Sequence, residues 1–257
     1  MAIKRKEYKF QRGRIVEIQE FHDGNYGGPG KKRIKRKKPT EEQMRLVNAK
    51  NKAMRCRHKM LEYLDQGDCF GDWTYAITNR PLDMKAALKD FQKAIRIVRD
   101  EYHKRGYELF WFRNIERGTK GAWHIHFVVN EIGDTASIMK KAWNKGGTYT
   151  VAIKNEPKVY DEDFTKLAEY MTKDEHTREE KKDGTPRIRE ASYNTSRNMP
   201  LKKPHVDKLQ RWKREVKPRK GYYIISAYEG INPATGYKYR RYVMARFPEK
   251  VKLNRRI

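Results

Sequence analysis

Cysteine is scarce in this sequence: Cys56 and Cys69 are the only two among 257 residues, and no CxxC occurs. A disulfide framework and a cysteine-built structural zinc site are therefore excluded. No apolar run approaches the length of a membrane span, and the opening MAIKRKEYKF has no apolar segment of the signal-peptide kind. A cytoplasmic chain that makes no use of a membrane is expected. The phosphate-cradling pattern GxxxxGK[ST] is missing as well, so any ATP-driven unwinding is expected to come from elsewhere. Acidic residues are also few: 33 Asp and Glu stand against 60 Lys and Arg, giving a formal charge of +27. With a mean hydropathy of −1.07, the surface is heavily solvated. So large an excess of one sign opposes compaction unless a polyanion offsets it, which makes nucleic acid the expected partner.

What is present divides into three segments. Residues 1–39 read as a basic flexible arm that ends in Lys31, Lys32, Arg33, Lys35, Arg36, Lys37 and Lys38, a run broken only by Ile34. Such a run cannot form a core and suits phosphate contact. Residues 40–204 read as the main domain. Thr40 and Gln43 have the spacing of a capping box, and Met44, Val47, Met54, Leu61 and Leu64 mark a helical stripe that stops at Gly67. DWTYAITN (residues 72–79) reads as a strand, and a helix runs from near Asp83 to Gly106. YELFWFRNIE and AWHIHFVVN are strands around RGTKG, SIMKKAW is a short helix, and TYTVAI is a strand. The order β-α-β-β-α-β is the split βαβ of ferredoxin-like or RRM-like folds. The expected class is α+β: an antiparallel sheet with helices on one face, an N-terminal helix, and a further helix over about 163–175. Residues 205–257 read as a small, basic, tyrosine-rich β extension.

Within AWHIHFVVN the side chains alternate. Trp123, Ile125, Phe127 and Val129 share the face that packs on helices, while His124 and His126 share the open one. Two imidazoles at i and i+2 can chelate a divalent ion but need a third ligand. If residues 119–121 form a three-residue hairpin loop with Gly121 left-handed, Glu116 falls directly opposite His124. A different loop would bring Glu108 there instead. Two imidazoles and a carboxylate on an open sheet leave vacant positions, which suits a catalytic metal better than a sealed structural one. On the next helix Phe164, Leu167, Ala168 and Met171 make the apolar stripe. Tyr170 lies about 110° from its centre, with Lys173 on the same side. An amine beside a phenol lowers its pKa or neutralises phosphate charge.

Thr74–Thr78 (TYAIT), Glu116 followed by His124-Ile-His126, and Tyr170-Met-Thr-Lys173 together resemble the three motifs of the HUH endonucleases. Within them the chain resembles the rolling-circle replication initiators of bacterial plasmids and phages. PTEEQMRLVNAKN, TSRNMPLKKP (Thr195–Pro204) and EGINPATGYKYRRY (Glu229–Tyr242) extend the likeness over roughly residues 35–245. The resemblance implies a sequence-specific, metal-dependent DNA nickase and strand transferase. In it His124, His126 and Glu116 hold Mn²⁺ or Mg²⁺, Tyr170 forms a 5′-phosphotyrosine, and Lys173 assists. The implied partners are single-stranded or hairpin origin DNA and a host helicase and polymerase. Arg197, Lys202 and Lys203 join the basic run as candidates for DNA contact. A first motif less apolar than usual is the main departure.

In the last segment Tyr222, Tyr223, Tyr228, Tyr237, Tyr239 and Tyr242 are interleaved with Arg and Lys. They either stack on unpaired bases or pack on one another. Two other functions remain open. One is an HUH transposase or small relaxase. The other is a non-catalytic RRM-like nucleic-acid-binding module in which His124 and His126 stack on bases.

Overall fold

The computed structural model describes residues 3–22, 40–118, 122–173, 193–231 and 237–248. Along the chain run β1 (Ile3–Phe10), β2 (Ile15–His22), α1 (Glu41–Tyr63), β3 (Cys69–Thr74), α2 (Met84–Lys104), β4 (Trp111–Arg117) and β5 (Trp123–Val129). They are followed by α3 (Thr135–Ala142), β6 (Thr148–Ala152), α4 (Thr165–Thr172), β7 (Tyr193–Thr195), β8 (His205–Leu209), β9 (Tyr222–Ile231) and β10 (Lys238–Arg246). Among the described residues these make an α+β protein of four helices and two five-stranded antiparallel sheets. One compact unit comprises residues 40–201; the other joins 1–39 to 202–257.

In the unit of residues 40–201 the strand order is β6-β3-β5-β4-β7, with β3 and β5 inside. Trp73, Ile115, Ile125 and Phe127 point to one side and form a core with Phe91, Val98 and Tyr102 of α2 and Ile138 and Met139 of α3. The helix α2 forms because Asp83 caps it, accepting from the Ala86 N–H at 2.7 Å, and because its apolar residues recur at helical spacing. A fully buried Phe91 or Phe127 contributes about 1.5–3 kcal/mol. Gly71 exists for the Phe127 ring: a Cβ there would lie 2.5 Å from its Cζ and 2.3 Å from the Tyr149 carbonyl oxygen. Trp73 stacks on Trp143 at 5.0 Å.

Several expectations are corrected. The first strand of this sheet is Cys69–Thr74 rather than 72–79: beyond Thr74 the Ala76 N–H turns to the Lys145 carbonyl, and a short 3₁₀ turn occupies Ile77–Asn79 ahead of Pro81. Helices lie on both faces of the sheet, since α4 sets Tyr170 edge-on over Phe70 on the face opposite α2. The capping box at Thr40 and Gln43 is present, but α1 ends at Tyr63 instead of running on to Gly67. Its stripe packs only toward that end, with Met44 and Val47 exposed and Leu61 and Leu64 buried.

The flexible arm and the small C-terminal extension are corrected together. Residues 3–22 are two strands that pair with the C-terminal ones in the order β8-β1-β2-β10-β9. Val16, Ile18, Tyr242 and Met244 form a core on one side of this sheet, closed by Val216, Tyr222 and Ile224. The basic run 31–38 and the turn 232–236 lie outside the described residues.

Candidate metal and nucleophile site

The second sheet holds the sequence-derived residues in register. Glu116 pairs directly with His124 and Asn114 with His126 across β4 and β5; Asp72 pairs with His126 and Thr74 with His124 across β3 and β5. The loop residues 119–121 lie outside the described residues, but the Gly118 N–H donates to the Ala122 carbonyl at 2.8 Å, which closes the hairpin in this register. Glu108 lies before β4, where its carboxylate accepts from the Asn198 amide at 3.1 Å.

Four side chains meet on the open face. Glu116 Oε2 is 3.3 Å from His126 Nε2, and the Asp72 carboxylate reaches Nδ1 of both His124 and His126 at 3.6 Å. The approach is close but not aligned for hydrogen bonding: Asp72 Oδ1 and Glu116 Oε2 are buried without a hydrogen-bond partner. Asn114, fully buried beside His126, has neither amide atom bonded. Among the described residues no group of three His, Cys, Asp or Glu side chains is drawn together as a ready metal shell. The donors nevertheless fit a divalent ion, because two imidazoles and two carboxylates with unsatisfied buried oxygens lack the cation that would complete them.

The helix α4 brings the remaining two residues. Its first turn is fixed by carboxylates, with the Thr165 N–H donating to Asp163 and the Lys166 N–H to Asp161. Arg57 of α1, buried, pairs with Asp163 at 3.0 Å and also donates to its backbone carbonyl. So anchored, the helix places the Tyr170 hydroxyl 3.3 Å from His126 Nε2, with the two rings edge-on at 5.2 Å. Lys173 Nζ sits 3.5 Å from Glu116 Oε1 and 4.5 Å over the Tyr170 ring.

The electrostatics correct one expectation. Burial, then Glu116, Asp72 and Glu156, push the Tyr170 phenol above its ordinary pKa. Lys173 does not bring it down, because its charge is engaged by Glu116. The nearby His126 imidazole, followed by Lys173, holds Glu116 below the usual carboxylate range against the effect of burial. Asp72 raises His124 above its usual value, more than burial lowers it.

The His124 shift has a measurable consequence. A raised folded-state pKa adds stability that is complete below about pH 6.5 and is lost as pH rises through the folded value. In EDTA the thermal midpoint should therefore fall above about pH 6.5 in the native chain and fall less in Asp72→Asn. Parallel curves for the two proteins would refute the pairing.

Asp72 was not singled out in the sequence, where it is one acid at the edge of a glycine-containing stretch. Its face on β3, read against His126 on β5, was the available signal. Of the candidate DNA contacts, Arg197, Lys202 and Lys203 are exposed, and the run from Lys31 to Lys38 lies outside the described residues. No helix among the described residues is long and apolar enough to cross a membrane.

Residues 68–175 match the family model of the replication-associated proteins of the ORF2 type. That span runs from just before β3 to just beyond α4 and contains Asp72, Glu116, His124, His126, Tyr170 and Lys173. No curated protein and no solved structure gives a significant match.

Proposed function

We propose that this chain is a replication-associated, metal-dependent nickase and strand transferase of the HUH type acting on single-stranded DNA. The observation that carries the reading is the meeting of one nucleophile-bearing helix with the paired histidines: the Tyr170 hydroxyl stands 3.3 Å from His126. The strand order β6-β3-β5-β4 supports a ferredoxin-like split βαβ core, and the family match over residues 68–175 supports the replication role. A platform for base stacking alone would have no use for two carboxylates with buried, unsatisfied oxygens behind its histidines.

Glu116, His124 and His126, with Asp72, would hold Mn²⁺ or Mg²⁺. Such an ion, when bound, polarises the scissile phosphate and offsets its negative charge. Tyr170 Oη forms a bond to phosphorus and gives up its proton. The P–O3′ bond breaks, and the 3′-oxygen leaves as a hydroxyl after taking a proton. One phosphodiester replaces another, so no external energy source is needed and the strand can be rejoined. Lys173 supplies a fixed positive charge beside the phenol, where charge accumulates on the phosphate oxygens. The freed 3′-hydroxyl would prime a host polymerase behind a host helicase.

The test is a single-stranded origin oligonucleotide labelled at its 5′ end. It should be cut with Mn²⁺ or Mg²⁺ and left intact with EDTA. Binding without cutting under every metal condition would leave only the non-catalytic module.

A further inference from the structure

The other unit carries a surface with a different chemistry. On five successive strands of its sheet, Lys208, Lys4, Phe21, Tyr239 and Gly230 lie directly across from one another. The next row on the same face is Val206, Lys6, Gln19, Arg241 and Tyr228. Neither row contains an acid, whereas the opposite side of the sheet is charge-paired. There Arg5 bonds Asp207, Arg240 bonds Glu20, and Arg219 bonds Glu7.

The rings in these two rows are arranged as a platform. Lys6 Nζ sits 5.3 Å over the Phe21 ring. Phe21 is directly opposite Tyr239 on β10, and the Tyr239 and Tyr228 rings are 5.9 Å apart with their hydroxyls at 3.4 Å. Gly230 makes this possible. A Cβ on Gly230 would lie 2.8 Å from Cζ and Oη of Tyr239, so only glycine lets that ring lie across β9. Tyr228 is 54% exposed. In contrast, Tyr222 and Tyr242 belong to the core on the other side.

We infer that this face binds single-stranded DNA, with bases stacked on Phe21, Tyr239 and Tyr228 and phosphates met by Lys4, Lys6, Lys208 and Arg241. Charge complementarity selects a polyanion, and exposed ring faces select one whose bases are unpaired, because a duplex hides its base faces. The inference rests on the nuclease reading only in naming DNA as the polymer.

The experiment measures binding of the full chain to fluorescein-labelled oligothymidine and to a labelled duplex, by anisotropy in EDTA. Tyr239→Leu and Phe21→Leu should weaken oligothymidine binding about 5- to 150-fold and leave duplex binding within about twofold, as expected from the loss of one stacked base. Tyr239→Phe, which keeps the ring, should bind as the native chain does. Lys4→Gln/Lys6→Gln/Arg241→Gln, all surface changes, should flatten the dependence of log affinity on log salt by about two. Equal weakening on duplex and single strand in the leucine variants, or an unchanged salt slope in the triple variant, would overturn the inference. Cutting is not read and metal is absent, so failure of Tyr170 as nucleophile leaves this result untouched.

Discussion

Tyr170→Phe should abolish the covalent protein–DNA product, a loss on the order of 10³-fold or more in cutting, while binding of the uncut strand stays within about twofold. The substitution removes one oxygen and keeps the ring, which touches Phe70 and His126 edge-on, so folding is spared. The size follows from the chemistry, since no other hydroxyl stands beside His126 among the contacts of this site. The raised phenol pKa sharpens the expectation. At neutral pH the group is un-ionised, held so by burial and by Glu116 and Asp72. A divalent cation among those carboxylates reverses the sign of the local field and makes the phenolate accessible. Adduct formation should therefore rise with pH when Mn²⁺ is present and remain absent in EDTA. The measurement is a denaturing gel of labelled oligonucleotide with the native and variant chains. A full-strength adduct in Tyr170→Phe would move the nucleophile elsewhere.

The site was legible where local rules applied. Alternation placed His124 and His126 on one face, and hairpin arithmetic put Glu116 opposite His124, as the register has it. Helical spacing put Tyr170 and Lys173 on one side of α4. Asp72 escaped because Gly71 and Asp72 look like turn residues. In the fold Gly71 is spared a side chain so that Phe127 can fill its place, and Asp72 faces the histidines. Both facts belong to β5, more than fifty residues later, and no local pattern reports them.

The same reasoning explains the misread termini. IKRKEYKF has the period of a strand, but its alternate positions on one side are Arg5, Glu7 and Lys9, which read as solvent. Arg5 is neutralised by Asp207 and Glu7 by Arg219, both some two hundred residues away. Buried Glu20 is neutralised by Arg240 in the same way. Charges that find partners only through the long-range pairing of β1 and β2 with β8 and β10 look, locally, like a disordered basic arm. α1 shows the opposite case, because its capping box is wholly local and was read correctly.

Asp163→Ala should cost about 3–5 kcal/mol of unfolding free energy, because it strands the Arg57 guanidinium inside the protein. Arg57 is 2% exposed and pairs with Asp163 at 3.0 Å. The loss is a large share of the roughly 5–15 kcal/mol that holds a domain folded. Asp163 also accepts from the Thr165 N–H that opens α4, and the nearby Asp161 accepts from Lys166. The helix that carries Tyr170 therefore starts on these two carboxylates, with Phe164 leading into it in the left-handed region at φ 57°. Removing Asp163 should lower adduct yield even below the new melting transition, as Tyr170 loses its fixed distance to His126. Asp163→Asn, which retains an acceptor for the Thr165 N–H, should cost less. Arg57→Met/Asp163→Leu, which removes both charges, should recover much of the stability without recovering the adduct. Chemical denaturation gives the first quantity and the labelled-oligonucleotide gel the second. A loss under about 1 kcal/mol in Asp163→Ala, the range of a solvated ion pair, would mean that the pair does not anchor the helix.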